Sequence, residues 1–181
     1  MTVTGGSDQI KCPDGIRDDH AAPRRGLYRH ANPFSILVLG ALMIAALTGL
    51  FGGDKTSTLT AVSPAATLTV DTPRTMRSGL FFETRIAVEA REALSDAVIA
   101  LPPALWRDQT INTIVPAAES EAFKDGRFRF HYGALAAGDR LEIKIDGQIN
   151  PPLTIGAEGE VALYDGERPV VSIPLTIRVL P

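Results

Sequence analysis

The stretch Leu80-Phe81-Phe82-Glu83-Thr84-Arg85-Ile86-Ala87-Val88-Glu89 repeats with a period of two. Leu80, Phe82, Thr84, Ile86 and Val88 fall on one side, and Phe81, Glu83, Arg85, Ala87 and Glu89 on the other. Successive side chains of an extended chain point to opposite faces, so this pattern predicts a half-buried strand, apolar inward and charged outward. Arg127-Phe128-Arg129-Phe130-His131-Tyr132 repeats it with the aromatics Phe128 and Phe130 on one side. Leu141-Glu142-Ile143-Lys144-Ile145-Asp146 repeats it again.

Further strands are expected over 67–70, 97–101, 110–115, 159–164 and 170–179. Turn signals separate most of them: Pro102-Pro103, Asp125-Gly126, Ala137-Gly138-Asp139, Asn150-Pro151-Pro152 and Asp165-Gly166. The last of these reads as a hairpin. Pro174 interrupts the final strand, which places it at a sheet edge or at a bulge. Seven or eight short strands over residues 67–181, with no long amphipathic helix, predict an all-β domain. The expected architecture is an immunoglobulin-like β-sandwich, with a small β-barrel as the alternative.

Upstream the composition changes. Residues 34–53, FSILVLGALMIAALTGLFGG, contain no charged side chain. At ~1.5 Å per residue a helix of that length matches the ~30 Å of a bilayer core. This segment is expected to be a single transmembrane helix. Arg24, Arg25, Arg29 and His30 precede it, and only Lys55 follows closely. That bias puts the N-terminus in the cytosol and the β-domain outside, in the periplasm or the exterior. The stretch from Arg24 to Arg29 loosely resembles a twin-arginine export signal, but lacks Phe after the spacer. The apolar run exceeds a cleavable signal, so an uncleaved anchor is favoured. Residues 1–33 read as a disordered cytosolic tail, and 54–66 as a Thr-, Ser- and Ala-rich linker. Ala41, Ala45, Gly49 and Gly53 recur every fourth residue, a small-residue face suited to helix–helix contact and to a homodimer.

Two stretches resemble bacterial extracellular immunoglobulin-like repeats of the cell-adhesion-related type. Leu101-Pro102-Pro103-Ala104-Leu105 looks like their "LP-x-x-L" element, and Gly133 to Leu141 like their "G-x-L-x-x-G" element. The likeness spans residues 67–149 and implies a tethered spacer or binding module in a bacterial envelope. It implies no catalytic residues.

The residues themselves offer little chemistry. Net charge from Asp54 onward is −4, thirteen Lys/Arg against seventeen Asp/Glu, and no basic stripe points to nucleic acid. One cysteine, Cys12, excludes an intramolecular disulfide and cysteine-rich zinc sites. His131 is the one histidine of the β-domain and is expected on the outer face of its strand. A triad would need it as base with Ser78, Ser95, Ser120 or Ser172, none of which sits in a Gly-x-Ser-x-Gly elbow. Asp139, Asp146, Asp165 and Glu167 would form a calcium site only by clustering at one end of the sandwich. Neither catalytic residues, nor a metal, nor a cofactor is expected.

The candidate contact residues are Trp106, the one tryptophan, and its neighbour Arg107, after a double proline. Trp106 either plugs the core or meets a partner, since exposed Trp and Arg are favoured in interfaces. The expected function is a membrane-anchored binding or scaffold module meeting another envelope protein. The alternative is an accessory subunit of a membrane enzyme or transporter, recruited through Ala41, Ala45 and Gly49.

Overall fold

The computed structural model describes residues 32–51, 56–151 and 156–180. The chain divides into two compact units, residues 1–44 and 45–181. Cys12, His20, Arg24, Arg25, Arg29, His30 and Gly53 lie outside the described residues, as does the expected disordered tail.

The first element is helix α1, Pro33–Leu47. Its start is written in the sequence. The Asn32 side chain accepts the Phe34 N–H at 3.0 Å, and Pro33 fills the first helical position, where no donor is needed. Its end is written too. Gly49 has φ 77°, its N–H donates to the Ala46 carbonyl, and the Leu50 N–H donates to the Ala45 carbonyl. That pair of bonds is a Schellman stop, which needs a left-handed residue. The expected helix over 34–53 is therefore corrected to fifteen residues, about 22 Å at ~1.5 Å each. No helix among the described residues is long and apolar enough to cross a membrane. None of the α1 side chains is buried, including Phe34, Leu37 and Leu47.

The sandwich has two sheets. The first runs β1(Thr56–Val62), β2(Ala66–Pro73), β4(Phe81–Ala90), β9(Arg140–Ile149), β6(Gln109–Val115). The second runs β3(Thr75–Arg77), β11(Arg168–Leu180), β10(Ala157–Asp165), β5(Ala97–Leu101), β8(Arg127–His131), β7(Ser120–Lys124). All pairs are antiparallel except β3 with β11. Register explains the core. Val70 pairs with Ile86, which pairs with Ile143, so one apolar row crosses three strands. Facing it are Ile99, Phe130, Val161, Leu163, Ile173, Leu175 and Ile177 of the second sheet, all buried. Fully burying each aliphatic side chain contributes roughly 1.5–3 kcal/mol, so these rows fix the register.

Eight strands lie where the apolar patterning and turn signals put them, and the fold is an all-β sandwich. Phe82, Ile86, Val88, Ile143 and Ile145 point inward as expected, while Leu80 is exposed ahead of β4. Three strands were not expected. β1 occupies most of the supposed linker over 54–66, its Leu59 and Ala61 packing against the core. β3 is three residues long, and β7 is exposed throughout. The Asp125-Gly126 turn joins β7 to β8 with φ of 50° and 73°, the left-handed pair of a tight hairpin. Pro174 sits in β11 where β10 is the one neighbour, since β3 reaches only Arg178 to Leu180. The edge expected there is thus local.

Candidate functional site

The double proline ends β5 and starts a single helical turn, α2(Pro103–Trp106), whose Leu105 is buried. This turn lies directly against β10 at Gly159. A Cβ there would stand 2.7 Å from Pro102 and 2.8 Å from Leu105, so the missing side chain is what lets the turn approach. The result aims Trp106 along the aromatic side of β8. Its ring centroid is 5.3 Å from Phe130 and 5.8 Å from Phe128, nearly parallel to the latter. Phe123 of β7 meets Phe128 edge-on at 5.2 Å. The rings therefore form a run from the core to the surface: Phe130 is buried, Trp106 and Phe128 half-buried, Phe123 61% exposed. Trp106 is half plug and half platform.

Arg107 follows on the surface and makes no ion pair among the described residues. Its backbone N–H closes the turn onto the Pro103 carbonyl at 2.8 Å. Phe123, which completes the run, escaped sequence reading because β7 has no buried face and hence no period.

Beside the run, the outer face of the second sheet is roofed. Arg129 points outward from β8 yet its side chain is 5% exposed. It donates to Asp125 at 2.8 Å and Glu167 at 2.7 Å, and its guanidinium stands 5.0 Å from the centre of the Tyr164 ring. Lys124 and then Arg129 hold the Glu167 carboxyl below its ordinary value. Arg127 pairs with Glu160, which it and Ser172 hold low. Burial pushes the Tyr132 hydroxyl up to about 12.

His131 is half-buried, its Nδ1 2.7 Å from Asp96. The Ser95 hydroxyl, a nucleophile candidate in the sequence, donates instead to Asp165 at 2.7 Å. That bond first, then the backbone N–H groups of Asp96 and Ser95 and the Arg168 side chain, hold Asp165 at about 2. The four acids considered for calcium do not converge. Asp139 caps its own turn at the Ala136 N–H, Asp146 accepts from Thr113, Asp165 from Ser95, and Glu167 from Lys124 and Arg129. No group of three His, Cys, Asp or Glu able to hold a metal occurs among the described residues.

On α1, Ala41 and Ala45 stand one turn apart, while Gly49 lies beyond the helix end as its stop. The four-residue repeat thus keeps two members on the helix.

No family model matches the chain, and no curated protein matches it. Among solved structures it is similar to the chitin-binding domain of a hyperthermophilic chitinase from Pyrococcus furiosus. The two share 16% identity, the alignment covers 62% of this chain and 98% of that one, and the TM-score is 0.37. At that score the likeness assigns no residue of this chain a role.

Proposed function

We propose that the sandwich is a non-catalytic binding or scaffold module. In this reading it is held at a bacterial envelope membrane by the apolar segment around α1, with the N-terminus cytosolic and the sandwich extracytoplasmic. The observation that carries the binding role is the aromatic run ending on β7. Phe123 presents an exposed ring backed by Phe128 and Trp106, on a strand whose outer backbone edge pairs with no other strand among the described residues. A ring supported by other rings is held in place before binding, which lowers the ordering cost of contact. An unpaired strand edge adds backbone donors and acceptors for a partner. The membrane role is supported by α1, apolar all round with no side chain buried, which is unfavourable in water. The immunoglobulin-like assignment belongs to the same proposal. Leu101 and Leu105 of one repeat-like element are buried, and Leu135 of the other bridges to Leu94.

The second reading, an accessory subunit docking through its helix, is supported by the close-packing surface at Ala41 and Ala45. Photocrosslinkers placed singly at Phe123, Arg107, Ala41 and Ala45 of the full chain, in intact membranes, separate the two. Adducts at Phe123 and Arg107 are expected. Adducts confined to Ala41 and Ala45 would establish the accessory reading, and full-length protein released by alkaline carbonate would remove the membrane from both.

A further inference from the structure

The arginines of the sandwich fall into two groups. Arg85, Arg127, Arg129, Arg140 and Arg168 each reach a carboxylate within 3.1 Å. The other five reach none among the described residues: Arg77 donates to the Phe51 carbonyl, Arg91 and Arg107 are exposed singly, and Arg74 and Arg178 together line one cavity of about 480 Å³ with Thr75 and Thr176. Its placement follows from the parallel pairing of β3 with β11. Arg178 is opposite Thr75, and the Arg178 N–H donates to the Arg74 carbonyl at 2.8 Å. Thr176 and Arg178 are two residues apart and so share the outer face of β11. Neither threonine hydroxyl has a hydrogen-bond partner among the described residues. Glu158 is opposite Thr176 on β10 and makes no ion pair among the described residues. Among the described residues, two guanidiniums line the cavity and the one neighbouring carboxylate is that of Glu158.

We infer that this cavity is a binding site for a phosphate-class oxyanion. Two guanidinium forks and two hydroxyls supply donors in more directions than the two oxygens of a carboxylate can accept, whereas a tetrahedral phosphate can meet them all. The volume exceeds a bare phosphate, so a monoester or diester fits: a soluble metabolite or the headgroup of an anionic lipid. The site is remote from the aromatic run and does not depend on what that run binds.

The test is titration of the full chain in a zwitterionic detergent with inorganic phosphate, against chloride at equal ionic strength, following the Thr75 and Thr176 amide resonances. Saturable shifts with phosphate are expected. Arg74→Gln/Arg178→Gln should weaken binding by about tenfold or more. Arg91→Gln/Arg140→Gln, which removes the same charge at two exposed arginines away from the cavity, should leave it unchanged. Native Trp106 fluorescence certifies that both variants are folded. Equal response to chloride, equal loss in both variants, or full retention in Arg74→Gln/Arg178→Gln would overturn the site. Repeating the titration in phosphatidylcholine nanodiscs with and without phosphatidylglycerol identifies the source. Weaker phosphate binding beside phosphatidylglycerol means headgroups occupy the cavity, and equal binding means it takes phosphate from solution. Failure of the chain to enter nanodiscs would sink the membrane reading and leave the detergent titration standing.

Discussion

The two sheets treat their outer faces differently. On the first, outward positions carry a solvated ladder: Arg85 with Glu83, Glu83 with Lys144, Lys144 with Asp146, and Arg140 with Glu89. These charges are exposed, and such pairs contribute ~0–1 kcal/mol each. On the second, the outward residues Val98, Ala100 and Ala162 are buried although they face away from the core. Arg129 and Tyr164, their cross-strand neighbours, cover them. Alternation therefore reports burial only where nothing stands on the outer face. β5 reads Ala-Val-Ile-Ala-Leu without a polar residue because both its faces are dry.

Two outward alanines measure the difference. Ala87 on β4 is partly exposed beside Glu142, whereas Ala100 on β5 is fully buried opposite Arg129. Ala100→Lys should cost on the order of 3 kcal/mol or more, since it forces a charge under an existing guanidinium. Ala87→Lys should stay within about half a kcal/mol. Urea unfolding followed by Trp106 fluorescence measures both. Equal costs would mean that the second sheet has no roof.

Legibility in the sequence follows the same line. β4 and β9 were readable residue by residue because one face is core and the other is water. β5 was readable as an apolar run bounded by Pro102. β1 reads as a linker because Thr and Ser dominate it, although Thr is a good strand former and Leu59 and Ala61 alternate with it. β3 and β7 offered no signal, one too short and the other without a buried face. In α1 the apolar count overrode a stop signal at Gly49 that was present all along. Of the aromatic site, Trp106 was visible as an unusual residue. Phe123 and the roof of Arg129 were not, since both depend on which strands become neighbours.

Arg129→Ala comes next in size. It removes the cover over Ala100 and the contact with the Tyr164 ring, and a desolvated cation–ring contact contributes up to ~2 kcal/mol. Asp125 and Glu167 are largely exposed, so losing their partner costs them little. The Arg129 Nε is buried without a partner among the described residues, a standing penalty that the substitution relieves. The net expectation is a loss of about 2 kcal/mol in the same urea assay. A loss below half a kcal/mol would show that the outer face is wetter than its geometry. Arg85→Ala, the counterpart on the solvated ladder, should lie within about half a kcal/mol.

The smallest effect sits at the corner of the roofed sheet, where Ser95 and the backbone of Asp96 hold Asp165 at about 2. A folded value below the ordinary carboxylate range means that the native state binds the proton less readily than the unfolded chain does. The resulting stabilisation is complete above the unfolded value, near ~4, and is lost as pH falls through about 2. Ser95→Ala deletes the first of these bonds and leaves the backbone N–H groups and Arg168 in place. It should cost about 1 kcal/mol at neutral pH. It should also raise the Asp165 value toward the ordinary range, so that acid destabilisation begins at higher pH than in the parent chain. The difference between the two proteins should shrink as pH falls below ~4, because protonating Asp165 weakens the same bond in the parent. Stability measured from pH 7 down to 2 tests this. A gap that stayed constant would mean that Ser95 acts through packing alone. A gap that widened in acid would reverse the assigned sign.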